Sequence, residues 1–410
     1  MAIIRPFRAL RPRPDVAARV AAVPYDVVTT EEARALADGN PLSFLRVSRA
    51  ELELAPDVDP YSDVVYRRAA DNFARLREGA LLVEDEPCVY FYRLRMGAHE
   101  QTGLAACFSI DEYDRNVIKK HERTRRDKED DRTRHILALG AQTGPVFLVY
   151  RASSEIKAIA RRATMVAPLF DFEAADGVRH TVWRLHGEDC DRVVSAFACV
   201  PALYIADGHH RAASAARARS EMIERGLLGV PLGDGADYRS VLAVAFPHDE
   251  MQILAYNRTV RDLAGLSPPQ FLVAVDERFR SAPGPSAPSA RGAVAMYVDG
   301  SWRTLFPRTP PESSDPIASL DVSVLQDQLL GPILKIADVR TDKRIDFVGG
   351  ARGTAALEQA VDSGRAAVAF SMFPVSVADL MAVSDAGEIM PPKSTWFEPK
   401  LRDGLLSHII

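Results

Sequence analysis

Leu203-Tyr-Ile-Ala-Asp-Gly-His-His-Arg211 leads directly into the alanine-rich stretch Ala212 to Arg225. Its first four residues are apolar and suit a buried strand, while the alanines that follow Arg211 favour a helix. The spacing therefore predicts a strand–loop–helix unit. At such a junction free backbone N–H groups and the positive end of the helix dipole converge, and anions bind there. Gly208 permits close backbone approach or a positive φ, Arg211 offers a bidentate fork to phosphate oxygens, and His209 and His210 can donate hydrogen bonds or carry a proton. Asp207 can orient a histidine, accept a proton or hold Mg2+. The bland alternative is an ordinary Asp-Gly turn with Asp207 capping the helix. Four polar residues of complementary chemistry crowded at one junction argue against it.

Working outward, strand-like runs fall at 88–94, 102–110, 145–151, 240–246, 293–298 and 366–370, rich in Val, Ile, Phe and Tyr. Thr29-Thr-Glu-Glu32 reads as a capping box opening a helix that Gly39 stops. A longer helix is expected over 62–78, with Val65, Ala69, Phe73 and Leu76 on one face. Strands and helices alternate, so the predicted class is α/β with a mixed sheet core and additional α+β layers. The Pro/Ser-rich stretches 281–289 and 307–316 read as surface loops. Length suggests two to three domains, drawn as 1–150, 151–280 and 290–410.

Composition excludes several classes. The chain of 410 residues has 51 basic and 56 acidic residues and a net charge of −5, so nothing draws it generally to nucleic acid or to an anionic membrane. The N-terminus lacks the apolar stretch of a signal peptide, and no run of about 18 uncharged apolar residues occurs. The expected location is the cytoplasm. Cys88, Cys107, Cys190 and Cys199 form no CxxC pair, which predicts buried thiols rather than disulfides or a metal site. Neither a GxxxxGK[ST] loop nor GxGxxG, GxSxG or HExxH is present, which argues against P-loop NTPases, Rossmann dehydrogenases, serine hydrolases and zincins.

Two further segments carry chemistry. Between Lys119 and His135 lie eight Lys/Arg and five Asp/Glu. This run holds cations to neutralise a polyphosphate (Lys119, Lys120, Arg123) beside a base or proton carrier (His121, Glu122). A solvated helix face is the competing reading. The phrase Met390-Pro-Pro-Lys-Ser-Thr-Trp-Phe-Glu-Pro-Lys400 should be extended, with Lys393, Thr395 and Lys400 suited to phosphate and Trp396 and Phe397 to packing. Asp26 and His180 are each as readily structural as catalytic, and the cations between Asp338 and Asp346 read better as a surface loop.

The 207–211 loop resembles the phosphate-binding box of the ParB/sulfiredoxin-like superfamily, matched here by Gly208, His209, His210 and Arg211 ahead of an alanine-rich helix. That superfamily includes kinases of free serine with a similar Asp-Gly-His-His-Arg sequence. The whole chain resembles domain-of-unknown-function family 1015 through Val23-Pro-Tyr-Asp-Val27, Ile118-Lys-Lys-His-Glu-Arg-Thr124, Gln142-Thr-Gly-Pro145, Arg340-Thr-Asp-Lys-Arg344 and the 390–400 phrase. The resemblance implies a ParB/sulfiredoxin-like strand–loop–helix unit. It also implies a phosphotransferase using a nucleotide (ATP or ADP) and Mg2+ on a small hydroxy compound, free serine leading. The alternatives are a phosphohydrolase of a small phosphomonoester, or a non-catalytic nucleotide-binding switch or DNA-associated protein. The expected partner is a small phosphorylated or hydroxy substrate, without nucleic acid or membrane, and self-association into a homo-oligomer is left open.

Overall fold

The apolar runs of the first 250 residues pair into one mixed sheet of nine strands. In chain order these are β1 (Ile4–Arg5), β2 (Val89–Met96), β3 (His99–Ser109), β4 (Ile118–Lys119), β5 (Val146–Tyr150), β6 (Phe170–Glu173), β7 (Val178–Leu185), β8 (Leu203–Asp207) and β9 (Ser240–Pro247). Their spatial order is β4-β8-β5-β9-β3-β2-β7-β6, with β1 also on β3. The β4–β8 and β5–β9 pairs are parallel and the other pairs antiparallel. The central strands β5 and β9 are buried along their whole length, as continuous apolar runs in a covered sheet should be. This computed structural model describes residues 1–226, 237–311 and 315–410.

The helices begin and end where local chemistry dictates. Both halves of the Thr29 capping box form, Thr29 N–H donating to Glu32 Oε2 at 2.8 Å and Glu32 N–H to Thr29 Oγ1 at 3.2 Å, and α1 (Thr30–Ala37) follows. The helix α2 (Asp63–Gly79) buries Val65, Ala69, Phe73 and Leu76, the face that 3.6-residue spacing requires. Next come α3 (Arg126–Leu139), α4 (Ser154–Ala163), α5 (Gly187–Phe197) and α6 (His209–Glu224). Ile156, Ile159, Cys190, Val193 and Phe197 of α4 and α5 pack with Leu203 and Ile205 of β8 and Ala212 of α6 in one core cluster.

The chain divides into two units, Met1–Met251 with Pro399–Ile410, and Gln252–Glu398. The expected segments 1–150 and 151–280 contribute strands to the same sheet, so no boundary near 150 is evident. In the first unit the last residues close long loops. Leu10 and Ser407 exchange two backbone hydrogen bonds of 2.9 Å, Ala22 and Asp403 exchange two of 3.1 and 2.8 Å, and His408–Ile409 pairs with Ala141–Gln142.

The second unit carries its own antiparallel sheet, β10 (Tyr256–Val260), β11 (Phe279–Pro283), β12 (Val294–Val298), β13 (Ser301–Pro307), β14 (Ile345–Gly349) and β15 (Val368–Met372), in the order β11-β13-β12-β15-β10-β14. The stretch 281–289, read as all loop, begins as the end of edge strand β11, where a proline costs no ladder bond. Residues 312–314 of the second loop expected from sequence lie outside the described residues. Cys88, Cys107 and Cys190 are buried as expected, but Cys199 is exposed because it follows the C-terminus of α5 rather than lying in it. No described helix is long and apolar enough to cross a membrane.

Candidate functional site

The parallel neighbours β4 and β8 run side by side, Ile118 beside Leu203 and Lys119 beside Tyr204. Both chains leave the sheet at the same end. Ligands of open α/β sheets settle beyond such carboxyl ends. The β8 ladder with β5 gains one residue between Ile205, opposite Leu148, and Asp207, opposite Phe147, and a bulge there re-aims the residues that come after it. Gly208 then takes φ +91° as the residue before α6, a capping position where glycine offers no side chain. Glycine is required here twice over. The backbone is left-handed, and a Cβ would lie 2.9 Å from Arg211 Nε.

Arg211 lies beneath the loop. It is 8% exposed, donating from Nη1 to the Pro145 carbonyl and from Nη2 to Asp207 Oδ2 at 3.0 Å, while Nε has no partner. Lys400 Nζ stands 3.6 Å from the same Asp207 oxygen. Burial pushes the Asp207 carboxyl up, but Lys400, Arg211 and His209 outweigh it and hold the group well below the usual carboxylate range. Burial lowers Arg211, and Asp207, Asp26 and Asp403 together more than restore its charge. The expected surface fork is thus an internal one, already engaged by a carbonyl and a carboxylate. A cavity of about 40 Å³ adjoins it, lined in part by Tyr25, Arg132, His135, Gly144 and Asp403. Burial raises Asp403 to about 7.

The histidines link the two loops. His121 and His209 are 2% and 5% exposed, and their rings meet edge to face with centroids 4.5 Å apart. His121 N–H donates to His209 Nε2 at 3.5 Å, and Arg125 N–H to His210 Nε2 at 3.1 Å. Glu122 Oε2, on a half-exposed side chain, lies 3.8 Å from His209 Nδ1. Burial depresses all three histidines, His121 to about 4 and His209 and His210 also below the ordinary value, so all three are neutral near pH 7.

The charged run 119–135 divides in two. Its first part, β4 and the loop after it, faces Asp207–Arg211, with Arg123 exposed; Lys120 Nζ sits 3.8 Å from the Tyr113 ring centroid. Its second part is α3, whose charges hold structure. Asp131 accepts from Tyr66 at 2.8 Å and from Arg132 at 2.9 Å, Arg132 stacks on Tyr25, and Arg134 pairs with Asp63.

Of the 390–400 phrase, Lys400 belongs to the first unit and stands at Asp207. Lys393 and Thr395 belong to the second. There Lys393 takes φ +58°, its carbonyl accepts from Arg258 Nη2 at 3.2 Å, and its Nζ lies 5.5 Å from the Tyr256 ring centroid. Trp396–Phe397 is extended and pairs with Ile253–Leu254. Trp396 donates to Glu398 at 2.8 Å, and only Phe397 is fully buried. His180 is wholly buried and bonded to the Tyr92 hydroxyl at 2.8 Å, a core histidine. Asp26 is exposed, and its charge acts on both His210 and Arg211, which draws it into the site. Sequence reasoning missed Asp403 and the Pro145 carbonyl, since neither stands in a pattern of charge or spacing. In the second unit, Arg340 pairs with Asp338 and Arg344 with Asp342 and Asp262, so these two arginines of the segment expected as a surface loop are neutralised locally.

These features define an α/β protein whose candidate site lies at a strand-to-helix junction beyond two parallel strands. The chain belongs to the family described as Protein of unknown function (DUF1015), whose model matches residues 4–323. No curated protein matches it. Among solved structures, it is similar to a conserved hypothetical protein from Pyrococcus furiosus at 12% identity, with 74% of this chain and 94% of that one covered and a TM-score of 0.34. A free serine kinase in complex with AMP aligns at 13% identity over 73% and 92% with a TM-score of 0.35. SbnI with C-terminal truncation from Staphylococcus aureus aligns at 12% over 72% and 84% with a TM-score of 0.37.

Proposed function

We propose that this protein is a phosphotransferase, moving a phosphoryl group between a nucleotide and a small hydroxy compound, with free serine as the leading substrate. The observation that carries the reading is the meeting of the 120–125 and 207–211 loops beyond parallel β4 and β8, before a helix N-terminus whose capping residue is glycine. Phosphoryl transfer demands little covalent chemistry of a protein and a great deal of positioning and charge neutralisation.

In this reading the N–H groups of the first turn of α6, with His210, receive phosphate oxygens of ATP or ADP, and Gly208 lets them approach. Lys119, Arg123 and Lys400 neutralise charge that develops on the transferred group. Asp207 stays ionised throughout the physiological range, so it orients the substrate hydroxyl, takes its proton late in transfer, and can share Mg2+ with the phosphates. Arg211 acts through Asp207, holding it in place, rather than as a direct phosphate ligand. The loop's resemblance to the ParB/sulfiredoxin-like phosphate box, a superfamily that includes kinases of free serine, supports the same assignment.

The test is a thermal-shift titration with ADP, ATP, phosphoserine and serine, each with Mg2+, followed by a phosphate-transfer assay on the ligands that bind. A ligand at about 100 times its Kd stabilises by about 2.7 kcal/mol. Nucleotide-dependent phosphorylation of serine, or its reverse, is the expected result. Release of phosphate from phosphoserine without nucleotide would replace this reading with a phosphohydrolase, and a flat screen would remove it.

A further inference from the structure

We infer that His121, Glu122 and His209 form a binding site for one transition-metal ion, of the Zn2+, Mn2+, Fe2+ or Co2+ kind. Each can offer one ligand atom, and the three atoms lie within 4.8 Å of one another, close enough for a single ion to gather them with small side-chain movements. The ligands come from two loops that the parallel strands β4 and β8 hold side by side, so the backbone supplies the pre-arrangement.

The state of His121 is the independent sign. Its Nδ1 is buried and has no hydrogen-bond partner, an uncommon and costly condition for a ring nitrogen. The Ile205 carbonyl draws the ring proton, and because Nδ1 is unpartnered that proton resides on the other nitrogen. Nδ1 is left as a bare lone pair. A histidine whose second nitrogen donates to a backbone carbonyl while the first is left without a partner is the arrangement that metal-binding histidines adopt. The His121 N–H contact to His209 Nε2, at 3.5 Å, is long and therefore weak.

The donor set decides the chemical class. Two imidazoles and one carboxylate suit borderline divalent ions with positions left open for water or substrate, whereas Mg2+ demands oxygen ligands. The site is therefore distinct from any Mg2+ carried in on a nucleotide. With Asp207 near His121 and His209, the ion would be the largest charge beside the junction. This assignment does not rest on phosphotransfer, since an ion bound here would equally serve hydrolysis or a switch.

The experiment uses the untagged full chain, stripped with chelator and titrated with Co2+, read by visible d–d bands and by elemental analysis after desalting. One ion per chain is expected, and Zn2+ should displace it. His121→Ala and His209→Ala should each weaken binding by at least ~100-fold, beyond the ~10–100-fold typical of outer partners. Glu122→Gln, on a half-exposed residue that can be changed without disturbing the core, removes the charge but keeps an oxygen donor, and should weaken binding by at least ~10-fold, the floor of the range for outer partners. His99→Ala, on a histidine outside the cluster, should bind normally. Failure of the stripped protein to take up Co2+, or equal uptake by the Glu122→Gln and wild-type chains, overturns the proposal. Neither outcome depends on turnover, so loss of the phosphotransfer reading would leave this result standing.

Discussion

Arg211→Ala tests whether the loop's arginine is a structural member of the site. In the folded protein its guanidinium donates to the Pro145 carbonyl and to Asp207, and it is almost wholly buried. Removing one partner of a buried ion pair costs about 3–5 kcal/mol, because the other charge is left uncompensated. Lys400 remains 3.6 Å from Asp207 and offsets part of that cost, while the orphaned carbonyl adds about 1–3 kcal/mol. We therefore expect a loss of about 3–5 kcal/mol in all, and a fall in Tm of roughly 6–20 °C for a unit of this size. Trp183 reports the first unit alone when Trp302 and Trp396 are replaced by phenylalanine. The coupling is checked with Asp207→Ala in the same background. The double variant should be destabilised by clearly less than the sum of the two singles, since contacting charges do not add. Melting of Arg211→Ala within about 1 °C of the parent, on the same size scaling, would refute the reasoning and return Arg211 to the role of a loosely held ligand fork.

Gly208→Ala meets both a left-handed backbone and a Cβ 2.9 Å from Arg211 Nε, so it should cost about 1–3 kcal/mol by chemical denaturation; an unchanged midpoint would mean the loop relaxes freely. Asp403, buried and raised to about 7, binds its proton more tightly in the folded than in the unfolded chain. Its contribution to stability is therefore complete below about pH 4 and is lost as pH rises through about 7, roughly 4 kcal/mol over that window. Asp403→Asn should flatten that slope, and an identical pH dependence in the variant would remove the assignment. Iodoacetamide on the native protein should add one adduct, at Cys199, because Cys88, Cys107 and Cys190 are buried and inert; peptide mapping decides it.

The elements were legible where local chemistry alone decides them. The Thr29 cap, the 65/69/73/76 face of α2 and the β8–loop–α6 unit all arise from patterns within a few residues, and the structure shows each in place. Domain organisation was not, because it depends on pairing across long separations. Nothing near residue 150 marks that β5 lies between β8 and β9, and nothing near 400 marks that Ser407 pairs with Leu10.

The same division runs through the site. Gly208, His209, His210 and Arg211 are contiguous, and the loop 120–125 draws notice through its charge, so both could be named from sequence. What could not be read is which of these groups spend their hydrogen-bonding capacity inside the protein. Arg211 reads as a phosphate fork because its residue type and position suit one, but the Pro145 carbonyl that occupies it is 66 positions away and carries no side-chain signature. Lys400 reads as a phosphate cation for the same reason, yet it stands 3.6 Å from Asp207. Together Arg211 and Lys400 bring two positive charges to the Asp207 carboxylate, while Asp26 and Asp403 also act on Arg211. That arrangement of cations is what an incoming phosphate would meet beside the helix N-terminus. It exists only because the chain's last residues return to the first unit, which makes the charge of the site a property of the fold rather than of the loop.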